Sequence, residues 1–537
     1  MALPADPPAH AAALRAPQPA LVGTVPRQYN FAADILERNL AAGRAGKPAF
    51  IDIRGSWSYG SLAQRVDQFG AVLRSLDIAP EQRILICLLD TIDWPTTFLG
   101  ALKAGVVAVP VNTLLTADDY RFMLADSRAK LLVVSEALYS KFANVIGSCP
   151  ALEHVIVSGD NCFGHSRLED LLEQSQGEPL TAETTCDDIA FWLYTSGSTG
   201  KPKGAVHIHG NLKLTHDLYG GPVLGLQESD VCYSVAKLFF AYGLGNALTF
   251  PMSVGATTVL LADRPTPELV AGILRKHPVT VFYGVPTFYA AFLASEAPPE
   301  CSEVSLRVCV SAGEALPSDL GRRWRERYAV DILDGLGSTE MLHIFLSNHP
   351  GRVRYGTTGK PVPGYDIRLI GDDGLPVKVG EMGELQVKGP TSAIMYWNNR
   401  AQSRSTFLGE WTRSGDKYIE DEDGFFVYCG RGDDMLKVSG MYVSPFEVEA
   451  ALLTHADVLE AAVVAALDRD GLIKPKAFVV LKAGAKVTDG GKALQDHVKS
   501  KLAPFKYPRW IEFRPELPKT ATGKIQRFKL RDEIAAR

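Results

Sequence analysis

The sequence has little of what marks a metal-scaffold, membrane or nucleic-acid-binding protein. Its eight cysteines are scattered and form no Cys-x-x-Cys pair, which argues against zinc and disulfide frameworks and fits a reducing compartment. No run of about 18 apolar residues occurs, and the most hydrophobic region, residues 96–115, is interrupted by Lys103, Pro110 and Asn112. A net charge of −5 over 537 residues is too small to indicate nucleic acid as the main partner. We therefore expect no membrane span and no nucleic acid partner.

The first 28 residues form a distinct segment. They are rich in Ala and Pro, and Asp6 and His10 fall where a secretion signal would need an apolar core. We expect a disordered tail over residues 1–28 and a cytoplasmic protein that is a monomer or a homodimer.

The rest of the chain predicts an α/β fold with a large and a small domain. Up to about residue 350, short apolar runs such as 83–89 alternate with amphipathic stretches such as 94–104. This alternation predicts α/β subdomains with parallel sheets covered by helices. Gly-rich turns and short strands over 353–430 indicate a small barrel or antiparallel piece, which completes a large domain over 29–432.

Residues 433–537 predict a small, mobile α+β domain. The boundary is a short polar linker, in which Asp433 is a plausible hinge. The segment 434–537 has 18 basic and 13 acidic side chains, a net of +5, so the rest of the chain carries −10. A basic segment next to an acidic body suits a small phosphorylated ligand at their junction.

The strongest local signal is the loop 194–204, which follows a predicted strand. Its last ten residues include four hydroxyl side chains, three glycines and two lysines. Glycine lets backbone N–H groups turn toward an anion, hydroxyls add donors and lysine adds charge, so the loop is suited to phosphate. It is not a Walker A loop, because Pro202 follows Lys201, and Ser196 stands where a Gly-x-Ser-x-Gly elbow needs glycine.

Together with four later motifs, this loop resembles the adenylate-forming enzymes, which include acyl- and aryl-CoA ligases, adenylation domains of peptide synthetases and firefly-type luciferases. The resemblance extends from about residue 30 to 530. Within the family, residues 237–245 and 341–345 are most similar to benzoate-CoA ligases. The later motifs are Gly337-Ser338-Thr339-Glu340, Ser414-Gly415-Asp416, Gly430-Arg431 and Thr522-Gly523-Lys524.

The resemblance implies an ATP-dependent acid-thiol ligase that forms AMP. A carboxylate attacks the α-phosphate of ATP and expels pyrophosphate, and a thiol then displaces AMP from the acyl-adenylate. Because the first step brings an anion to a polyanion, it requires charge neutralisation and alignment. We expect ATP, Mg²⁺ and coenzyme A, with benzoate as the acid and a role in aromatic acid degradation.

By the same resemblance, Thr339 contacts the α-phosphate and Glu340 is the Mg²⁺ ligand. Asp416 binds the two ribose hydroxyls, and Arg431 contacts ribose or phosphate. Gly313, Glu314 and Asp334 lie at strand ends where the adenine rests, and Asp334 accepts from its amine. The expected phosphate-binding residues are Thr195, Ser196, Gly197, Ser198, Thr199, Gly200 and Lys203.

Lys524 is the expected catalytic cation, on a loop of the small domain. One site cannot hold both this lysine and the thiol, so we expect the small domain to swing about Asp433 between the two steps. The swing would bring the CoA-binding residues Lys437, Ser439 and Gly440 to the adenylate, and Gly440 would let the pantetheine arm pass.

The acid pocket is expected to be uncharged, which suits a flat aromatic ring. His343 is either a substrate contact or a satisfied core histidine. An amino-acid substrate would need a carboxylate partner for its ammonium group, and none is found in this set. The residues that the resemblance places there are Ala241, Tyr242, Gly337, His343 and Ile344.

Several other functions remain open from the sequence. The acid could be a hydroxy- or aminobenzoate, or the acceptor could be a carrier protein. A non-catalytic nucleotide sensor and a luciferase-like oxygenase share the fold, so fold cannot separate them. A metal site at His207, His209 and His216 is not expected, because no Cys or carboxylate stands at ligand spacing.

Overall fold

The computed structural model describes residues 24–175, 181–196, 202–432, 434–438, 441–469, 472–485, 490–519 and 525–535. The chain forms two mostly parallel sheets, an antiparallel sheet and a small C-terminal unit, as the sequence predicts. Arg27 pairs with Asp187 and Gln28 forms a β-bridge with Thr185, so these two residues, assigned above to the tail, contact the large domain. No helix in the described part of the chain is long and apolar enough to cross a membrane.

The first sheet has eight strands among the described residues. It is parallel except at one edge. There, Pro202–Ile208 runs antiparallel to Ile189–Ser196, and Met395–Tyr396 runs antiparallel to Pro202–Ile208. In spatial order the strands are Met395–Tyr396, Pro202–Ile208, Ile189–Ser196, Val107–Pro110, Arg83–Cys87, Leu131–Ser135, His154–Ser158 and Ser166–Arg167.

The second sheet has nine described strands and is parallel in its centre. Its antiparallel edges are the hairpin Pro48–Asp52 and Gly55–Ser58 and the strands after residue 337. In spatial order the strands are Lys360–Pro361, Ile344–Ser347, Ile332–Gly337, Val308–Ala312, Val281–Gly284, Val231–Ser234, Thr257–Val259, Pro48–Asp52 and Gly55–Ser58.

Helices cover both sheets, which accounts for the continuous apolar runs of the central strands. The helix that begins after Thr116 has the predicted start, because Thr116 and Asp119 form a reciprocal capping box. In the large domain the described helices are Phe31–Ala41, Tyr59–Ser75, Asp93–Lys103, Ala117–Ser127, Leu168–Gln174, His209–Thr215, Ala241–Leu244, Phe250–Val254, Pro267–Lys276, Pro286–Leu293, Ser318–Tyr328 and Arg400–Thr406.

The predicted barrel-like piece is an antiparallel five-stranded sheet in the described residues. Its inner face packs Leu369, Leu385 and Tyr418 into the same core as the second sheet. Asp416 and Arg431 are paired neighbours on its last two long strands. The strands are Asp366–Ile370, Met382–Lys388, Phe407–Leu408, Trp411–Glu420 and Phe426–Arg431.

The C-terminal unit is a compact α+β arrangement, as predicted. A hairpin and a three-stranded sheet pack their apolar faces on the helices, with Val448, Val463 and Val498 fully buried between them. The described strands are Leu436–Val438, Met441–Val443, Val458–Leu467, Ile473–Leu481 and Trp510–Phe513, and the helices are Pro445–Leu453, Lys492–Lys501 and Arg527–Ala535.

A buried ion pair fixes the starts of the strands that lead to the site. Asp230, which is 3% exposed, precedes the strand Val231–Ser234. Arg307 precedes the strand Val308–Ala312, and its Nε donates to Oδ1 of Asp230 at 2.7 Å. The Thr280 hydroxyl donates to the same oxygen at 2.8 Å. A buried carboxylate with this many donors is satisfied, so the three neighbouring strands begin in a fixed register.

Candidate active site

The predicted phosphate loop connects two antiparallel strands, Ile189–Ser196 and Pro202–Ile208. In their register, Thr195 lies opposite Lys203. The two strands pair as a hairpin beside the edge strand Met395–Tyr396 of the first sheet, which the sequence does not predict. Residues 197–201 lie outside the described residues, so the roles of Gly197, Ser198, Thr199 and Gly200 stay predictions, and only the backbone of Ser196 is described.

Lys203 is the second residue of the strand Pro202–Ile208, directly after the loop. Its Nζ lies 5.0 Å from the centre of the Tyr396 ring, a cation–π distance. No carboxylate of the described residues comes within ion-pair distance of Nζ. The charge of Lys203 is thus available for an anion at the hairpin tip.

Thr339 and Glu340 lie in the turn between Ile332–Gly337 and Ile344–Ser347 of the second sheet. The Thr339 carbonyl oxygen accepts a 2.7 Å hydrogen bond from Nε2 of His207, which belongs to the first sheet. Asn211 donates to the other ring nitrogen, Nδ1, at 2.9 Å, so the proton is assigned to Nε2. Burial lowers the pKa of His207 to about 4, and the ring is therefore neutral near pH 7.

The Glu340 carboxylate is held by a residue that the sequence analysis missed. The Tyr396 hydroxyl donates to Oε1 of Glu340 at 2.6 Å. Burial, the negative charge of Glu340 and this hydrogen bond all raise the pKa of the Tyr396 phenol, which remains a donor. Tyr396 is 56 positions from Glu340, and no local pattern marks it.

Glu340 fits a Mg²⁺ ion that arrives with phosphate. No group of three or more His, Cys, Asp or Glu side chains among the described residues could hold a metal by itself. Mg²⁺, however, is typically held by one or two carboxylates together with substrate phosphates and waters. One Glu340 oxygen accepts from Tyr396, and the other has no protein partner among the described residues.

The expected adenine site lies at the ends of neighbouring strands. Gly313, with φ of +94°, and Glu314 follow the strand Val308–Ala312. Asp334, expected at a strand end, instead lies inside Ile332–Gly337, opposite Ser311. Its Oδ1 is buried without a hydrogen-bond partner among the described residues. Burial raises the pKa of the Asp334 carboxyl well above its usual value, which favours its neutral form. A buried polar oxygen without a partner could accept a hydrogen bond from a ligand.

Asp416 and Arg431 are brought together on adjacent strands. Nη1 of Arg431 lies 3.4 Å from Oδ1 of Asp416 and donates to the Ser414 carbonyl oxygen at 3.1 Å. The predicted ribose and phosphate contacts are therefore adjacent at one edge of the antiparallel sheet.

Aromatic rings cluster at the expected position of the acid pocket. The Tyr242 hydroxyl donates to the carbonyl oxygens of Gly284 and Val310, at 3.3 and 3.2 Å, which fixes the position of its ring. The Tyr242 and His343 ring centres lie 5.6 Å apart, and Phe250 contacts His343 at 4.5 Å. Ala241 and Ile344 are buried beside them.

His343 is a buried, neutral histidine whose Nδ1 has no hydrogen-bond partner among the described residues. Its Nε2 lies 3.1 Å from Oδ1 of Asn246, and burial lowers its pKa to about 3. Two glycines make room for it: a Cβ on Gly245 would lie 2.3 Å from its ring, and one on Gly337 would lie 2.7 Å from its carbonyl oxygen. The pocket residues thus carry no net charge, as the sequence predicts, and a contact between His343 and substrate stays a prediction.

Most of the residues predicted to act from the small domain lie outside the described residues. These are Asp433, Ser439, Gly440 and Lys524, and only the backbone of Lys437 is described, in Leu436–Val438. The base of the loop that carries Lys524 is described: Lys519 and Ile525 form a β-bridge. Arg527, just after the loop, makes a bidentate pair with buried Glu449 at 3.0 and 2.6 Å.

The buried histidines make stability sensitive to acid. Burial lowers the pKa of His207, His209 and His216 to about 4, against about 6.5 in an unfolded chain. Between these values the unfolded state binds protons that the native state excludes. The free energy of unfolding should therefore be largest above pH 6.5 and should fall as the pH is lowered toward 4.

His207→Phe, which retains a ring against Phe191, should make this dependence shallower by about 1.4 kcal/mol per pH unit around pH 5. Urea denaturation from pH 4.5 to about 7.5 measures the slope. Phe191→Leu is the control, since it should lower stability equally at each pH. An unchanged slope in His207→Phe would contradict the account of this residue as a neutral buried group.

Comparison with known proteins accords with this geometry. Residues 36–397 match the family model for AMP-binding enzymes, and residues 447–524 match the model for the AMP-binding enzyme C-terminal domain. The benzoate–CoA ligase of Thauera aromatica is 58% identical over 94% of this chain and 96% of its own length. The 4-hydroxybenzoate–CoA/benzoate–CoA ligase of Rhodopseudomonas palustris is 49% identical over 94% of each chain.

Two solved structures share the whole architecture. A benzoate CoA ligase from Burkholderia xenovorans LB400 superposes with a TM-score of 0.89 at 53% identity, covering 94% of this chain and 100% of that one. The anthranilate CoA ligase AuaEII, in complex with anthranoyl-AMP, gives 0.91 at 42% identity, covering 95% and 98%. The fold follows these proteins, and the chain belongs to the AMP-binding enzyme family.

Proposed function

We propose that this protein is a benzoate–CoA ligase. It would convert benzoate and ATP to benzoyl-AMP and pyrophosphate, and then benzoyl-AMP and CoA to benzoyl-CoA and AMP. The observation that carries the proposal is the uncharged cluster of buried rings at Tyr242 and His343, the second of which is three residues from Glu340. The names of the Thauera aromatica and Burkholderia xenovorans relatives support the same acid.

In the first step, a benzoate oxygen forms a bond to the α-phosphorus as the bond to pyrophosphate breaks. Lys203 and the hairpin tip would hold the phosphates, and Thr339 would donate to the α-phosphate. Glu340 would hold Mg²⁺, which when bound neutralises phosphate charge. Each of these groups acts where negative charge accumulates, in a site that requires no acid or base.

The nucleotide would lie between the second and the antiparallel sheets. The unpartnered Oδ1 of Asp334 would accept from the adenine amine. Asp416 would accept from the ribose hydroxyls, and Arg431 would contact ribose or phosphate. These are the polar groups that fix the orientation of a ligand whose other end lies among rings.

In the second step, the CoA sulfur attacks the acyl carbon, and the carbon–oxygen bond to AMP breaks. We propose that the small domain turns about Asp433, withdraws Lys524 and brings Lys437, Ser439 and Gly440 to the adenylate. Since ATP and CoA are cytoplasmic metabolites, we place the reaction in the cytoplasm, as part of aromatic acid degradation.

The direct test is AMP formation from ATP and Mg²⁺ with benzoate, 4-hydroxybenzoate, 2-aminobenzoate, octanoate or acetate, each with and without CoA. Benzoate should be the fastest acid and CoA should be required for turnover. A faster hydroxy- or aminobenzoate would replace the acid but keep the mechanism. Pyrophosphate release at the full rate without CoA would indicate a carrier protein, and no turnover with any acid would refute the proposal in favour of a sensor.

Two variants separate the steps. Lys524→Ala should lower adenylation by about 10²–10³-fold, the usual effect of removing one charge-stabilising donor, yet spare thioester formation from supplied benzoyl-AMP. Gly440→Leu should block the CoA step while pyrophosphate release continues, because a side chain there would obstruct the thiol. Equal loss of both steps in either variant would contradict the two-conformation account.

A further inference from the structure

The Tyr396–Glu340 hydrogen bond joins the two large sheets at the proposed metal ligand. Tyr396 lies on the edge strand Met395–Tyr396 of the first sheet, 3% exposed, and Glu340 lies in a turn of the second. Their 2.6 Å oxygen separation is the short distance typical of a hydroxyl that donates to a carboxylate. Such bonds are about twice as strong as neutral ones, so this bond restricts the carboxylate rotamer.

The phenol is itself fixed by its strand and its packing. The neighbouring N–H groups of Ile394 and Trp397 donate to the carbonyl oxygens of Val206 and Gly204, at 2.9 and 2.7 Å. The Tyr396 ring contacts that of Phe407 at 5.3 Å between centres. These contacts fix the ring, and with it the position of the hydroxyl.

The backbone of the Glu340 turn is held independently of the phenol. The Ala393 N–H donates to the Glu340 carbonyl oxygen at 2.7 Å, and the Thr391 hydroxyl donates to that of Met341 at 2.8 Å. His207 holds the Thr339 carbonyl oxygen. Loss of the phenol oxygen alone would thus leave the turn in place and release only the carboxylate group.

The same ring separates two opposite charges. Lys203 Nζ lies over the ring at 5.0 Å from its centre, and Glu340 is hydrogen-bonded to its hydroxyl. In the described part of the chain, Lys203 and Glu340 are not within ion-pair distance of each other. Neither charge neutralises the other. The Lys203 ammonium group could therefore bind phosphate, and the second oxygen of Glu340 could bind a metal ion.

We propose that Tyr396 is a positioning residue for the adenylation step: its hydroxyl holds the Glu340 carboxylate in the orientation that binds the divalent cation of the nucleotide complex. This rests on the proposed function, in which Glu340 is the metal ligand. Residues that hydrogen-bond a metal ligand typically change metal affinity by about 10- to 100-fold when removed.

The test is Tyr396→Phe, which removes one oxygen and keeps the ring, its packing and the contact with Lys203. The probe is Mn²⁺ with a non-hydrolysable ATP analogue, and its dissociation constant is read by electron paramagnetic resonance. We expect binding of Mn²⁺ to weaken about 10- to 100-fold, with the same rise in the Mg²⁺ concentration for half-maximal adenylation. Conversion of supplied benzoyl-AMP to benzoyl-CoA should be unchanged.

Tyr120→Phe is the matched control, since it removes a buried hydroxyl that donates to the Asn112 carbonyl oxygen at 2.7 Å, away from the site. It should leave both metal measurements unchanged. Mn²⁺ affinity in Tyr396→Phe within twofold of the parent would overturn the proposal, as would equal loss of both half-reactions with a lower melting temperature. No AMP from the parent with any acid would instead refute the proposed function, while the Mn²⁺ measurement would still test Tyr396.

Discussion

The hydrogen bond from His207 to the Thr339 carbonyl oxygen is the contact on which the arrangement of the site depends. It joins the strand that leaves the phosphate hairpin to the turn that carries Thr339 and Glu340, and these belong to different sheets. Burial keeps the imidazole neutral, and Asn211 fixes which nitrogen donates. In the proposed reaction, both sheets must present their donors to one triphosphate, so a rigid link between them is a requirement of the chemistry.

The proposed acid pocket has a different requirement: its side chains must carry no charge. The rings of Tyr242, Phe250 and His343 cluster at its expected position, and the low pKa of His343 leaves that imidazole uncharged. A benzoate carboxylate would find no fixed cation among these rings, so its only electrostatic partners lie on the phosphate side. The carboxylate would therefore point toward the phosphates and the apolar ring toward the pocket. The shape of the ring, rather than its charge, would decide which acids bind.

Much of the fold follows from the sequence, because it depends on local patterns, whereas the site residues stay predictions that rest on the family resemblance. Apolar runs predicted the parallel strands, and the capping box at Thr116 was visible as a Thr followed by acids in the first helical turn. The parts that could not be predicted are contacts between distant segments. Neither His207 nor Tyr396 belongs to a motif that predicts its role. His207 donates to the Thr339 carbonyl oxygen, and Tyr396 donates to the Glu340 carboxylate. Asp334 was expected at a strand end, but the strand continues to Gly337.

The central claim is that benzoate attacks the α-phosphate of ATP, and isotope transfer tests it most directly. Benzoate labelled with ¹⁸O in both carboxylate oxygens would be converted in the presence of MgATP and CoA, and the products would be analysed by mass spectrometry. The account predicts one labelled oxygen in each AMP and none in pyrophosphate, because the carboxylate oxygen that bonds to phosphorus leaves with AMP. Unlabelled AMP, or label in orthophosphate accompanied by ADP, would contradict it.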